Sequence, residues 1–272
     1  EVHHPYKSEL WTPGESDFTA NVVAKMEAFS DNCGKPSIHF FGHTHGYSRG
    51  QSRDHKHVWI NVATAGGAID YWGDWPQVDY DEFSITEDDW GFVLVEVEAG
   101  DEPKFSVKRL SRGDGNVDLD NVLIDSFSVS KTDYTITTPT PIYPLDIQVT
   151  PECVILRASS FEIEDMHGAS HWQVTETSGE YSDPLGEVWE QFENIYFNQD
   201  TQEGELITEE YMSGMPENTE LWWRVRYRDK ELNWSDWSVE AAFSTGTSSF
   251  GENLLENPGA EQGMSVWVID QG

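Results

Sequence analysis

Basic residues are scarce in this chain of 272 residues. It has 16 lysines and arginines against 50 aspartates and glutamates, which gives a formal net charge of -34 at pH 7. A surface of this sign repels the phosphates of nucleic acids and of anionic membranes. The composition therefore argues against a nucleic-acid scaffold as partner, and it suits a protein that stays soluble in salt, as in a marine or halophilic setting.

Cysteines and long apolar runs are also few. The two cysteines, Cys33 and Cys153, fall in different predicted domains, so a framework of disulfides is excluded. No run of about 18 apolar residues is present, and we predict no transmembrane helix. Aromatic residues, in contrast, make up 13% of the chain and include 12 tryptophans. This aromatic content excludes a disordered acidic chain.

A short apolar run followed by two histidines is the most informative stretch. Residues Ile38 to Phe41 have the pattern of a buried strand, which Gly42 ends. His43 and His45 follow on the turn. Neutral imidazole is a common metal ligand, so the two side chains can each reach a different ion. For an isolated pair of this kind, an ordinary exposed turn is the alternative.

A second histidine group stands near the N-terminus. His3 and His4 precede Pro5, which stops another predicted strand. A right-handed crossover between this strand and the one that ends at Gly42 would make the two strands parallel neighbours. Open α/β sheets build their sites at the carboxyl edge of the strands. We therefore expect both histidine groups to meet at that edge.

The crossover is predicted to be a helix from Asp17 to Asn32. Ser16 or Asp17 can cap its start, and Gly34 suits its end. Apolar residues recur near one face, and we expect this face to pack inward. Its members are Phe18, Val22, Met26 and Phe29.

The two histidine groups resemble the last two motifs of the calcineurin-like metallophosphoesterases. The matching residues are His3-His4-Pro5 and Gly42-His43-Thr44-His45. The stretch from Gly42 to Arg49 is especially similar to the corresponding motif of purple acid phosphatases. The resemblance implies an α/β sandwich and a hydrolase that acts on phosphate mono- or diesters through a hydroxide bridging two metal ions.

The resemblance also implies a role for each matching residue. His3 and His43 would bind one metal and His45 the other, with Fe, Zn or Mn as the ions. His4 would be the catalytic residue that contacts the phosphate. Tyr47 and Arg49 would support the turn.

The chain departs from the family in two respects. The segment from Glu9 to Pro13 lacks the histidine that purple acid phosphatases carry as a proposed acid. The family's three earlier motifs, Asp-x-His, Gly-Asp and Gly-Asn-His-Asp/Glu, which supply the other ligands, do not precede the two histidine groups in the sequence. Because the chain begins at Glu1, we expect it to be the C-terminal part of a longer protein and to be inactive alone.

Further strands are predicted after the central turn, over 58–63, 91–97, 105–110 and 123–129. We interpret Ile69 to Asp89 as a loop, with a surface role favoured over a substrate-facing one. Asp114 to Asp125 partly matches a calcium loop, but Leu119 stands where that loop needs glycine. We predict that residues 1–131 form the C-terminal part of the phosphoesterase domain.

A change of pattern follows a Thr/Pro-rich linker at 132–144. Residues 145–246 show the short strands and turns of a β-sandwich. The stretch from Trp234 to Ser238 resembles the W-S-x-W-S feature of fibronectin type III domains, and its tryptophans can alternate with arginines in a cation–π ladder. On the strand before it, we expect Leu221, Trp223, Val225 and Tyr227 to face the core, and Trp222, Arg224, Arg226 and Arg228 to face outward.

The last segment, 247–272, contains a linker and an Asn-Leu-Leu stretch that resembles the opening strand of a carbohydrate-binding jelly roll. The predicted fold class is thus mixed: a partial metallophosphoesterase α/β sandwich and an all-β fibronectin type III-like domain. We expect part of a secreted, modular metal-dependent phosphoesterase, whose C-terminal modules contact carbohydrate or a cell surface. The alternative is a non-catalytic adhesion or binding protein with a degenerate phosphoesterase-like domain.

Overall fold

A computed structural model describes residues 2–131, 135–163 and 166–248. In these ranges the chain forms one α-helix and seventeen β-strands. None of the helical turns in this part of the chain is long and apolar enough to cross a membrane. The predicted jelly-roll strand lies outside the described residues.

The first sheet carries the predicted histidine turn. Its first four strands are β1 (Ser37–Phe41), β2 (Tyr47–Gln51), β3 (His57–Val62) and β4 (Phe83–Glu87). Helix α1 (Asp17–Cys33) precedes them in the chain. Strand β1 pairs with β3 in parallel, and β2 lies antiparallel between β3 and β4. The turn with the two histidines therefore connects an edge strand to a central strand, skipping one position in the sheet.

A second sheet packs against the first. It consists of β5 (Trp90–Glu98), β6 (Lys104–Gly113) and β7 (Asp118–Ser130), all antiparallel. Apolar side chains of both sheets form a shared core. Its buried members are Tyr47, Val58, Ile60, Ile85, Phe105, Val107, Val129 and Leu232.

The predicted α/β sandwich is wrong. Of the described residues, 9% are helical and 42% are in strands, and α1 is their single α-helix. It packs on one side of the first sheet. The outer face of the second sheet leaves Phe92 and Leu94 exposed by 42% and 50%. The first part of the chain is therefore two packed β-sheets with one helix at the outside.

Helix α1 also turns a different face inward from the one predicted. Phe18 and Phe29 are 75% and 50% exposed, whereas Thr19, Val23 and Ser30 are buried. Hydroxyl groups account for this orientation, because they find partners under the helix. The Thr19 hydroxyl donates to the carbonyl of His4 at 2.8 Å, and Ser30 Oγ lies 2.6 Å from Ser37 Oγ.

Two strands of the first sheet are missing from our prediction. Strand β2 begins directly after the histidine turn, and β4 lies within the stretch interpreted as a loop from Ile69 to Asp89. The calcium loop is not formed. The Asp114 carboxylate accepts backbone N–H groups of Asn116 and Val117, both at 2.8 Å, and β7 starts at Asp118. Asp125 is buried, far along that strand.

The second part of the chain is a β-sandwich. Its strands are β8 (Pro141–Tyr143), β9 (Gln148–Val149), β10 (Val154–Ala158), β11 (His167–Thr175), β12 (Gly186–Gln191), β15 (Glu209–Met212), β16 (Glu220–Asp229) and β17 (Ala241–Thr245). Between β12 and β15 the chain forms a hairpin of β13 (Ile195–Tyr196) and β14 (Gln199–Asp200), which lies outside the two sheets of the sandwich. One sheet has the order β15-β10-β8 and the other the order β12-β11-β16-β17-β9. Strand β8 lies inside the predicted linker, whose last residues therefore belong to the sandwich.

Strand β16 confirms the predicted alternation on its core face. Leu221, Trp223, Val225 and Tyr227 are buried. On the other face, the Arg224 guanidinium lies 4.1 Å from the centre of a Trp237 ring, and Arg226 lies 4.3 Å from a Trp234 ring. The predicted cation–π ladder is thus present.

Arg228 departs from the outward orientation that we predicted. It is 1% exposed, and its guanidinium donates to the carbonyls of Ser52 and His55, both at 2.8 Å. These carbonyls belong to the first part of the chain. Sequence alternation places Arg228 on the outer face of β16, but that face is covered where the two parts of the chain meet.

The junction between the two parts is closely packed. Strand β13 adds to the first sheet by pairing with β4, so the sheet order continues β4-β13-β14. Arg49 on β2 forms an ion pair with Glu193, and Leu232 joins the core of the first part. The second part of the chain therefore packs directly against the sheet that carries the histidine turn.

We expect Arg228→Ala to loosen this junction. The change leaves two buried carbonyls without their charged donor, which predicts a loss of about 3 kcal/mol in the free energy of unfolding. Arg224→Ala is the matched control, because that side chain is partly exposed on the same strand. Urea unfolding of both variants measures the effect. Equal losses would contradict the structural role assigned to Arg228.

Two histidines are buried in hydrogen-bond contact beneath α1. His39 Nδ1 lies 3.0 Å from His57 Nε2, and His57 Nδ1 lies 2.7 Å from Ser37 Oγ. Burial, and then the neighbouring imidazole, lowers the pKa of His39 to about 3. Burial also lowers the pKa of His57 to about 4. Both rings are therefore neutral in the folded protein at neutral pH.

This pair predicts acid sensitivity. The folded pKa values lie below the ordinary 6.5, so the unfolded chain takes up protons first as the pH falls through that value. Stability from neutral burial is complete above pH 6.5 and falls on acidification, by about 2 kcal/mol for each histidine between pH 6.5 and 5. Urea unfolding at several pH values measures this slope. A slope as steep in His39→Phe as in the native chain would refute the assignment.

Candidate metal centre

Backbone pairing brings the two histidine groups together. The Val2 N–H donates to the Phe40 carbonyl at 2.9 Å, and the Gly42 N–H donates to the His3 carbonyl at 3.1 Å. The N-terminal segment therefore lies along β1, and His3 stands beside the turn that carries His43. The structure places the two groups together at the carboxyl end of β1.

Three histidines form a compact cluster at this point. Ligand-capable atoms of His3, His4 and His43 all lie within 4.8 Å of one another. His43 Nδ1 is 3.1 Å from His3 Nε2, and the ring centres of His4 and His43 are 3.9 Å apart. Nitrogen ligands of one tetrahedral ion stand about 3–4 Å apart. The imidazole donors and the spacing of His3 and His43 therefore fit one metal ion, whereas the 4.8 Å bound on all three histidines is wider than ligation of a single ion allows.

The backbone and the protonation of His43 also suit a ligand. Its φ is +70°, a left-handed conformation that is uncommon for residues other than glycine and recurs at functional sites. Burial, followed by the neighbouring His4 and His3, lowers the pKa of His43 below its ordinary value. Metal ligation requires the neutral imidazole, which this environment favours.

His4 has a contact that can fix its tautomer. Its Nδ1 lies 3.3 Å from the carbonyl of Gly14. A proton on Nδ1 would donate to this carbonyl and leave the Nε2 lone pair free for an ion. The contact of His4 with the phosphate, which the resemblance implies, stays a prediction, and the geometry also admits His4 as a metal ligand.

His45 lies apart from the cluster of three. Its backbone N–H donates to Asp70 Oδ2 at 2.7 Å, and the Asp70 N–H donates to the His45 carbonyl at 2.9 Å. His3, His43 and His45 nevertheless line the same open cleft of about 600 Å³. The ligands assigned by resemblance to two ions therefore face one cavity, with His45 at a separate position.

The buried side-chain amide of Asn61 stabilises the turn between His43 and His45. Asn61 Nδ2 donates to the carbonyl and the hydroxyl of Thr44, at 2.8 and 3.0 Å. Its Oδ1 accepts the N–H of Ala63 at 3.1 Å. Gly46 completes the turn, because a Cβ there would lie 2.1 Å from Leu10 Cδ1.

Tyr47 and Arg49 extend from the turn into the interior. The Tyr47 hydroxyl donates to Asp125 Oδ2 at 2.6 Å, and Arg49 Nε donates to the same oxygen at 2.7 Å. These contacts link the first sheet with β7. Their contacts are with protein groups, so both residues support the strand behind the turn.

Sequence reasoning missed three residues of the site. Trp11 stacks on the ring of His43, with centres 5.0 Å apart and planes 29° from parallel. Asp70 anchors His45, and Asn61 anchors Thr44. The signal for Trp11 was its place in the segment that lacks the expected histidine, while nothing local distinguishes Asp70 or Asn61 from other polar residues.

Comparisons with known proteins give little further guidance. No known family matches the chain, and no curated protein matches it. Among solved structures, it is similar to one titled "Structures of Clostridium thermocellum CbhA fibronectin(III)-like modules". The TM-score is 0.29 and the identity 11%, over 78% of this chain and 90% of that chain. A likeness at this level assigns neither family nor function.

We expect Asn61→Ala to weaken the turn. It removes one partner from three buried polar groups, which predicts a loss of about 2 kcal/mol in the free energy of unfolding and about a tenfold weaker affinity for Zn²⁺. Urea unfolding and calorimetric titration with Zn²⁺ measure the two effects. Asn21→Ala, on the exposed surface of α1, is the control. Unchanged metal affinity in Asn61→Ala would show that the turn needs no support from this amide.

Proposed function

We propose that this chain supplies histidine ligands to a metal centre that hydrolyses phosphate mono- or diesters. The supporting observation is the cluster of His3, His4 and His43, whose ligand atoms lie within 4.8 Å. These residues come from the two sequence motifs that resemble those of the metallophosphoesterases. The proposal rests on this coincidence of motif and geometry, and not on the global fold.

Each histidine of the site has a proposed role toward the metal ions. His3 and His43 would hold one ion, with His4 close to both, and His45 would serve a second ion from the same cleft. Such ions polarise a phosphoryl oxygen and activate water at neutral pH. Trp11 covers one side of the His43 ring and keeps it oriented. Asp70 fixes the backbone of His45.

The donor set restricts the choice of metal. Three imidazoles favour Zn or Fe, whereas Mn prefers carboxylate and water oxygens. No lysine or arginine is among the described residues that line the cleft. Positive charge to attract an anionic ester would therefore come from the ions, in a protein whose net charge is -34.

We further propose that the enzyme is secreted and modular. The second β-sandwich, with its arginine and tryptophan ladder, would act as a fibronectin type III-like module, and carbohydrate or a cell surface would be its partner. The competing function is that of a binding protein whose phosphoesterase-like part is inactive. Metal binding without hydrolysis would favour that function.

Metal binding and hydrolysis test the proposal in sequence. Calorimetric titration of this chain with Zn²⁺ or Fe²⁺ is expected to show binding, and His43→Ala is expected to weaken it at least about 100-fold. The complete gene product is then assayed with p-nitrophenyl phosphate and its bis ester. We expect metal-dependent turnover that His43→Ala abolishes.

His55→Ala is the matched control, since that histidine lies in a second His-x-His pair outside the cluster. It should leave metal affinity and turnover near their native values. A folded gene product that binds metal and shows no turnover of either ester would refute the enzyme and leave the binding protein. Equal losses in the His43 and His55 variants would refute the location of the site.

A further inference from the structure

An aromatic surface adjoins the histidine cluster. We define it by five residues: Trp11, Trp72, Trp75, Tyr196 and Phe197. It starts at the candidate metal ligand His43, on which Trp11 stacks. The Trp75 ring follows, with its centre 5.4 Å from that of Trp11. A line of rings thus leads away from the cluster.

Contributions from both parts of the chain hold this surface in place. The N–H of Thr12 donates to the carbonyl of Pro76 at 3.1 Å, which joins the segment of Trp11 to the loop of Trp72 and Trp75. Trp72 lies 4.9 Å from the Tyr196 ring.

The tip of the β13–β14 hairpin completes the surface. The ring centre of Phe197 is 5.3 Å from that of Trp72. Trp72 Nε1 also donates to Asn198 Oδ1 at 3.0 Å. The hairpin of the second part therefore fixes the far end of the surface, so its rings are pre-positioned.

Contacts within the protein account for the position of Trp11, whereas the ring of Trp75 remains largely exposed. A Cβ on Gly14 would lie 2.8 Å from Trp11 Cε3, so Trp11 is packed between this glycine and His43. Trp75 is 46% exposed and Phe197 is 49% exposed. Exposed large rings next to a candidate site are a feature of ligand-binding surfaces, and Trp75 is the exposed ring that contacts Trp11.

Ring shape and charge indicate the chemistry of the ligand. An exposed indole face stacks on flat rings, and nucleic-acid bases stack favourably on aromatic side chains. Acidic residues belong to the same segments: Asp74 precedes Trp75 in the sequence, while Asp79 and Asp200 accept hydrogen bonds from Asn194. They disfavour further negative charge on the ligand and can accept hydrogen bonds from its hydroxyl or amino groups.

We propose that the aromatic surface binds an uncharged ring with an apolar face in the organic group of the phosphate ester, with Trp75 as the main stacking residue. This inference rests on the proposed function, because that function places the phosphate at the histidine cluster next to the surface. Two sources provide such a ring: a nucleobase, or the apolar C–H face of a sugar. A substrate with a small acyclic group would leave the surface unused.

Ring binding can be measured without metal or turnover. The chain of 272 residues, labelled with ¹⁵N, is titrated with adenosine, with methyl glucoside and with glycerol as the acyclic control. The indole N–H signals of Trp11 and Trp75 are assigned from the Trp11→Phe and Trp75→Phe variants. We expect saturable shifts of the Trp75 signal with at least one ring compound and none with glycerol.

Two variants separate the surface from general effects. Trp75→Ala should weaken ring binding about tenfold. Phe29→Ala should leave ring binding unchanged. It removes a ring of similar exposure near the C-terminal end of α1, outside the aromatic surface. Adenosine alone would identify a nucleobase site, and methyl glucoside alone a sugar site. No saturable shift with either compound, or ring binding that persists in Trp75→Ala, would overturn the inference.

The link to the reaction needs the complete gene product. The ratio of kcat/KM for p-nitrophenyl phosphate to that for glycerol phosphate should fall about tenfold in Trp75→Ala. An unchanged ratio in an active enzyme would overturn the link between ring and ester. Absence of turnover in the native protein would refute the proposed function, while the titration still decides whether the surface binds rings.

Discussion

Two backbone hydrogen bonds, between Val2 and Phe40 and between Gly42 and His3, are the constraint on which the candidate site depends. They align the N-terminal segment with β1, and this alignment alone sets His3 beside His43. Side-chain contacts then refine the arrangement. Imidazole rings that approach so closely need neutral partners or a shared ion, because several charged rings would repel one another.

The support behind the turn comes from the whole molecule. Asn61 on β3 holds Thr44, while Asp125 on the second sheet binds both Tyr47 and Arg49. Arg49 also reaches Glu193 in the second part of the chain. Buried polar groups of this kind are costly unless every partner is present. The same contacts that join the two parts therefore keep the strand behind the histidines rigid, as a metal site requires.

The acidic surface and the aromatic surface fit one picture of selectivity. With a net charge of -34, the protein would attract the anionic ester that we propose only where bound cations offset its own field. An uncharged ring is not repelled by this negative field. The aromatic surface begins at the histidine cluster, where Trp11 stacks on His43 and contacts Trp75. A phosphate held by metal and an uncharged ring held by tryptophan would divide recognition between electrostatics and stacking.

Local pattern in the sequence determined the strand before the histidines, helix α1 with its Gly34 end, and the inward face of β16, because periodicity and glycine act over a few residues. It also singled out His3, His4, His43 and His45 as candidates. Only the tertiary structure decided which face α1 buries, that Arg228 is covered, and that three histidines cluster while His45 stands apart. Those outcomes depend on partners distant in sequence, such as Ser37, Ser52 and Asp70, whose contacts no local pattern encodes.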